Sequence, residues 1–213
     1  MIMERPYPPV HLRDPEALGT FEPAPQVVQW IEETFLNDKS PLYDEAHVHL
    51  NAATIAVLWT DVVNEKQMVP VVGTAEMPRP PSSGGKWARA KWEMQMRQWF
   101  GLEWKRITFL LTFYAPYAAE VDDVEWCATV KHELCHCAQE FEFEAPKFRQ
   151  DGTPVFGLRD HDYGGFLGTV RDFGPGAERN VPELLEIVRA GPRISRARVA
   201  MACGTAGCGL RIV

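Results

Sequence analysis

Residues 130–139 read Val-Lys-His-Glu-Leu-Cys-His-Cys-Ala-Gln. Within them, His132-Glu133-x-x-His136 has the types and spacing of a zinc-peptidase motif, provided it lies on a helix. Residues four apart share one helical face, about one turn apart, so one tetrahedral cation could take a nitrogen from each imidazole. Glu133, next to His132, is placed to take a proton from water on that cation and to deliver it to a leaving amine. The chain's own His and Glu frequencies give only about 0.015 accidental matches over its length.

Two His do not complete a catalytic site; three protein ligands and an open position do. Downstream, Asp160-His161-Asp162 is the only other His-bearing cluster flanked by carboxylates, and it begins 24 residues past His136. His161 is the better third ligand. Asp160 and Asp162 could instead orient ligand imidazoles. His47 and His49 offer a further pair, but at strand spacing such residues are more often partly exposed edge positions. Tyr163 is a weak candidate for stabilising an oxyanion.

The elements around the motif follow from pattern. Asp122 with Glu125 resembles a capping box, and 124–143 hold no Gly or Pro. Cys127, Val130, Leu134, Ala138 and Phe141 form an apolar stripe at three- and four-residue steps, so a helix is expected from Asp122 to Phe143. Ahead of it, Arg106 to Tyr114 is the clearest strand. Ala46 to Thr60 reads as a strand buried on both faces, and Met68 to Glu76 as a second. Pro25 is expected in the first turn of a helix running to Asn37, with Val28, Ile31, Phe35 and Leu36 inward. A helix is expected from His161 to Phe173, bringing His161 back to the motif, and another from Val181 to Arg189. Ser195 to Val213 resembles a hairpin in which Cys203 and Cys208 face each other.

Residues 86–104 hold four of the seven Trp (Trp87, Trp92, Trp99, Trp104), and residues 79–106 carry seven Lys or Arg against two Glu. Residue types favour a helix ending at Gly101. Such a segment could meet acidic protein or stack on single-stranded nucleic acid; the plainer expectation is core Trp with solvated cations.

Composition sets the frame. The chain has 213 residues, 46% of them hydrophobic, and a net charge of −7. It suits one globular domain of 26–190, with an extended Pro-rich arm at 1–25 and a hairpin-like tail at 191–213. An acidic balance weighs against a general nucleic-acid binder. No apolar run is long enough to span a membrane, the start lacks a signal-peptide layout, and five Cys is an odd count. These favour free thiols and a cytoplasmic setting.

At this point the chain resembles a family, the phage-type metallopeptidases, relatives in style of the SprT-like zinc peptidases. The carrying residues are His132-Glu-Leu-Cys-His136, then His161-Asp162-x-x-x-Phe166 and Phe173-Gly174, with the strand before the motif; together they span roughly 45–175. The resemblance implies Zn2+ held by His132, His136 and His161, with Glu133 as general base. The chain departs from the family pattern at Gly164-Gly165, where acidic residues are common. The expected fold is α+β and zincin-like, a small mixed or antiparallel sheet packed on the motif helix. The expected activity is zinc-dependent hydrolysis of peptide bonds in a protein or peptide substrate, with oligomeric state open and a site of action in the cytoplasm of a phage host. A non-catalytic zinc-stabilised interaction protein, or a nucleic-acid-associated protease, are the competing expectations.

Overall fold

The computed structural model describes residues 4–51, 54–66, 68–161 and 181–191. The fold is mixed α+β. Its centre is a four-stranded sheet in the order β1-β2-β6-β5, built from β1 (Phe21–Pro23), β2 (Ile55–Thr60), β5 (Gly73–Glu76) and β6 (Phe109–Tyr114). β2 and β6 run parallel, pairing Ile55 with Phe109 through Thr60 with Tyr114. β1 and β5 flank them antiparallel. A parallel pair needs a long crossover. Here it holds the short ribbon β3 (Glu65–Lys66) and β4 (Val69–Pro70), then β5, then helix α2 (Gly85–Phe100).

Alternation along the strands sorts side chains to two faces. Ile55, Val57 and Trp59 join Phe109, Leu111 and Phe113 in the main core. That core is closed by α1 (Pro25–Ile31), α3 (Ala115–Glu120) and α4 (Asp123–His136), which bring Val27, Trp30, Ala118, Trp126, Val130 and Leu134. Ala56, Leu58 and Leu110 face the other way, and the partly buried Trp99, Phe100 and Ile107 pack against them. Every β2 residue is buried, as expected for a strand covered on both sides.

Several expectations hold. Pro25 sits in the first turn of α1, and α2 ends on Gly101, whose φ of 70° favours glycine. The helix at Val181–Ala190, α5, is also present. Others need correction. The strand expected from Ala46 begins only at Ile55; Asp44 accepts a hydrogen bond from the Ala46 amide and starts a tight turn at Glu45–His47 instead. The helical stretch beginning at Pro25 widens into a π-turn at Glu32–Leu36; its fully buried side is Val27, Trp30, Ile31 and Phe35, with Val28 and Leu36 partly buried against the same core.

The Pro-rich arm is irregular but packed. The Arg5 guanidinium donates to the carbonyls of Ala118 and Asp122 at 2.7 and 3.0 Å, and Leu12 is fully buried. Asp61 accepts from the amides of Leu18, Gly19 and Thr20; these bonds hold its carboxyl below the ordinary value against the opposing effect of burial. The expected helix at His161–Phe173 and the tail hairpin with Cys203 and Cys208 lie outside the described residues, apart from His161. Among the described residues no helix is long and apolar enough to cross a membrane.

Candidate metal centre

The motif does lie on a helix. Asp122 caps α4 through its side chain, accepting from the Glu125 amide at 2.8 Å. Trp126, Val130 and Leu134 bury one side of α4 in the core. Trp126 is the anchor, its ring 5.0 Å from Phe113, 5.3 Å from Trp59 and 6.2 Å from Trp30, centroid to centroid. This packing fixes the rotation of α4 and hence the direction of His132 and His136.

α4 stops at His136, seven residues short of the expected Phe143. The chain turns extended at Cys137, and β7 (Cys137–Gln139) pairs antiparallel with β10 (Phe156–Leu158). Between them lies a small hairpin of β8 (Phe141–Glu142) and β9 (Ala145–Pro146), turned at Phe143 and Glu144, both with positive φ. Ala138 and Phe141 therefore sit on strands, not on the helix stripe.

This ladder, rather than a second helix, returns the third His. Beyond β10 the Arg159 amide donates to the His136 carbonyl at 2.9 Å. The Arg159 carbonyl in turn accepts from His136 Nδ1 at 2.7 Å. That bond assigns the His136 proton to Nδ1 and leaves Nε2 with a bare lone pair. His161 follows two residues later, its amide bonded to Asp160 Oδ1 at 2.8 Å.

The result is a cluster of three imidazoles. His132 Nε2 stands 3.3 Å from His136 Nε2 and 3.3 Å from His161 Nε2, and the ring centroids are 4.9 to 5.1 Å apart. Two nitrogens bound about 2.0–2.1 Å from one tetrahedral zinc are about 3.3–3.4 Å apart. Converging lone pairs at this distance repel unless a cation or proton lies between them. The donor set and its spacing therefore fit a divalent metal of zinc's size. Among the described residues no fourth His, Cys, Asp or Glu joins the group, and His132 and His161 are only half-buried.

Glu133 is 1% exposed, and its carboxylate lies against β5. A Cβ on Gly73 would come within 2.8 Å of Glu133 Oε1, so any side chain there would have to displace the Glu133 carboxylate. Gly73 was not singled out in the sequence; the available signal was an isolated glycine inside a strand pattern, which often marks a close approach. The Arg159 carbonyl had no sequence signal, because any residue supplies one.

His47 and His49 stay outside the cluster. His49 Nε2 donates to the Cys137 carbonyl at 2.7 Å, where α4 passes into β7. His47 is buried 3.7 Å from Cys135 Sγ, and burial lowers its pKa to about 4. Cys127, Cys135 and Cys137 form no disulfide; burial raises Cys127 to about 11 and Cys137 well above the ordinary thiol value. Asp160 remains beside His161, its Oδ1 3.8 Å from His161 Nδ1. Asp162 and Tyr163 lie outside the described residues.

A family model described as "Putative phage metallopeptidase" matches residues 28–189, more than half of the chain. The chain belongs to this family. No curated protein and no solved structure matches it. The matched span includes the three His, Glu133, Gly73 and both sheet faces. It begins within α1, downstream of β1 and the packed arm.

Proposed function

We propose that this protein is a zinc-dependent peptidase with a zincin-like catalytic domain, in which His132, His136 and His161 hold the metal and Glu133 is the general base. The observation that carries the reading is the convergence of three imidazole nitrogens at 3.3 Å steps beside a buried carboxylate. Zinc at such a site acidifies water and polarises a carbonyl oxygen.

The protein's own groups supply the rest. Glu133, adjacent in sequence to His132, accepts the proton of the attacking water and passes it to the leaving nitrogen. The Arg159 carbonyl holds the His136 ring in one tautomer. β5 is a sheet edge, and Gly73 at its start touches Glu133. An extended substrate added along that edge by backbone hydrogen bonds would pass the base. A non-catalytic metal site has no use for a buried carboxylate next to its ligands, which weighs against an interaction protein.

The test compares wild type, Glu133→Gln and His132→Ala on one peptide library, with zinc content and thermal midpoint measured alongside. Glu133→Gln should keep its zinc and its midpoint while cleavage falls about 10²–10⁴-fold. His132→Ala should lose both metal and activity. Equal cleavage by Glu133→Gln and wild type would remove Glu133 from the mechanism.

A further inference from the structure

The second face of the sheet carries α2 and the 3-10 turn that follows it at Gly101–Arg106. Met96 is the one fully buried residue of α2. Trp92 and Trp99 lean inward beside it, Trp92 edge-on to Trp104 at 5.4 Å and Trp99 against Phe21 at 6.4 Å. The opposite side of the helix, by spacing, is the row Trp87, Lys91, Met94 and Gln98. Trp87 is 75% exposed, Met94 60% and, on the following turn, Leu102 76%.

Charge gathers on the same segment. Residues 85–106 carry six Lys or Arg and two Glu, in a chain of net charge −7. Both Glu are already matched, Glu93 by Arg89 at 3.9 Å and Glu103 by Arg106 at 2.8 Å. That leaves Lys86, Lys91, Arg97 and Lys105 for an external anion. Two of these stand over indoles, Lys91 over Trp87 at 5.6 Å and Lys105 over Trp104 at 5.7 Å.

We propose that this face, Trp87 with the cations of α2 and its following turn, binds single-stranded nucleic acid. The ligand must offer regularly spaced negative charge and a planar apolar surface in the same chain. An unpaired strand does, through phosphates for the cations and a base for the exposed indole. An acidic polypeptide would satisfy the cations and leave Trp87 in water. An anionic bilayer would call for an unbroken apolar stripe, and Lys91 and Gln98 interrupt this one. In a duplex the bases are stacked away from an indole. The face is on the far side of the sheet from α4, so an occupied strand would not obstruct the metal centre, and the inference does not depend on the peptidase reading.

The experiment uses the full chain and a labelled twelve-residue oligothymidylate, read by fluorescence anisotropy from 20 to 300 mM salt. Binding should occur at low salt and weaken with a log–log slope near −3, since each neutralised phosphate contributes about −0.7 for single strands and four cations are free. Trp87→Ala should weaken binding roughly 5- to 150-fold, the loss of one stacked base, and quench none of the peptide cleavage. Lys91→Gln with Arg97→Gln should reduce the slope by about 1.4. All three positions are exposed, and unchanged thermal midpoints verify that the core does not need them. No binding at 20 mM salt overturns the proposal. So does equal affinity for a duplex of the same length, equal competition by polyglutamate, or capture by phosphatidylserine vesicles without capture of the oligonucleotide.

Discussion

The two faces of the central sheet are made by alternate residues of the same strands and end in opposite states. Ile55, Val57 and Trp59 point into a deep core under α1, α3 and α4. Ala56 and Leu58, their immediate neighbours, meet a thin cover of half-exposed aromatics from α2 and its following turn. The two helices differ in the same sense. α4 has a side-chain cap, a buried tryptophan and ring contacts to three strands or helices. α2 has no side-chain cap and only one buried residue. A dense face holds groups to within tenths of an ångström, as three converging nitrogens require. A thin face leaves indoles and cations free to meet something outside the chain.

The largest effects should fall on the dense face. His161→Ala removes one of three nitrogens and should weaken zinc binding by orders of magnitude, measured by competition with a chromophoric chelator. Full retained affinity would move the third ligand to Asp160 or Asp162. Gly73→Ala is a sharper probe, because it touches no ligand. The added methyl would come 2.8 Å from Glu133 Oε1, so it should displace the base, lowering cleavage while zinc affinity stays close to wild type.

Next in size is the contrast between two tryptophans. Trp126→Ala should cost about 3–5 kcal/mol, the usual range for a buried aromatic, since Trp126 is packed against Trp30, Trp59 and Phe113. Trp87→Ala should stay within about 0.5 kcal/mol, as an exposed substitution does. Urea unfolding of the two variants reads the difference directly; comparable losses would mean that α2 is as deeply embedded as α4.

Much of the dense face was legible in the sequence because its signals are local. His132-Glu133-x-x-His136, the Asp122 cap, Pro25 at a helix start and the strand at 109–114 each depend on a few neighbouring residues. What was not legible depends on partners distant in sequence. The β7–β10 ladder that returns His161 pairs residues about twenty apart; the Asp151-Gly152 turn between them marks a reversal but not which residues pair, and the stripe through Ala138 and Phe141 continued the helical period past its true end. Gly73 meets Glu133 across 60 residues. On the thin face the helix was legible from residue types, and the expectation of core tryptophans held in part: Trp92, Trp99 and Trp104 are half-buried, while a 3.6-residue period places Trp87 and Met94 on the side away from Met96, whatever their hydrophobicity.

A pH effect of intermediate size separates the faces again. His47 lies 3% exposed behind the C-terminal end of α4, and burial lowers its pKa from 6.5 to about 4. Lys131, His49 and Arg159 push it the same way, while Asp44, ion-paired to Lys131 at 2.8 Å, opposes them. The folded state thus holds His47 neutral where the unfolded chain would protonate it. Stability from this group is complete above pH 6.5 and is lost as pH falls toward 4, by about 2 kcal/mol at pH 5. Metal-free wild type and His47→Gln, unfolded by urea at pH 7.5 and 5, should differ by that amount in the stability each loses between the two pH values. Equal losses would mean that water reaches the ring.

The smallest effect tests the helix starts. The Asp122 carboxylate accepts from the Glu125 amide at 2.8 Å and satisfies one of the donors left over in the first turn of α4. Asp122 also presents its carbonyl to Arg5, but that bond uses the backbone and survives any side-chain change. Asp122→Ala should therefore remove the cap alone, at about 1 kcal/mol. Its counterpart on the thin face, Ser83→Ala just ahead of α2, should leave the midpoint unchanged, because the cap residue of α2 is Gly84 and no side chain caps the helix. The comparison has a second reading in the metal centre. His132 and His136 lie in the last turns of α4, so fraying at its first turn should not reach them while Trp126 holds the helix. Unchanged zinc affinity in Asp122→Ala, alongside a lowered midpoint, is the expected pair of results. A fall in both would mean that α4 moves as one rigid rod and that its cap, not Trp126, sets the direction of the ligands.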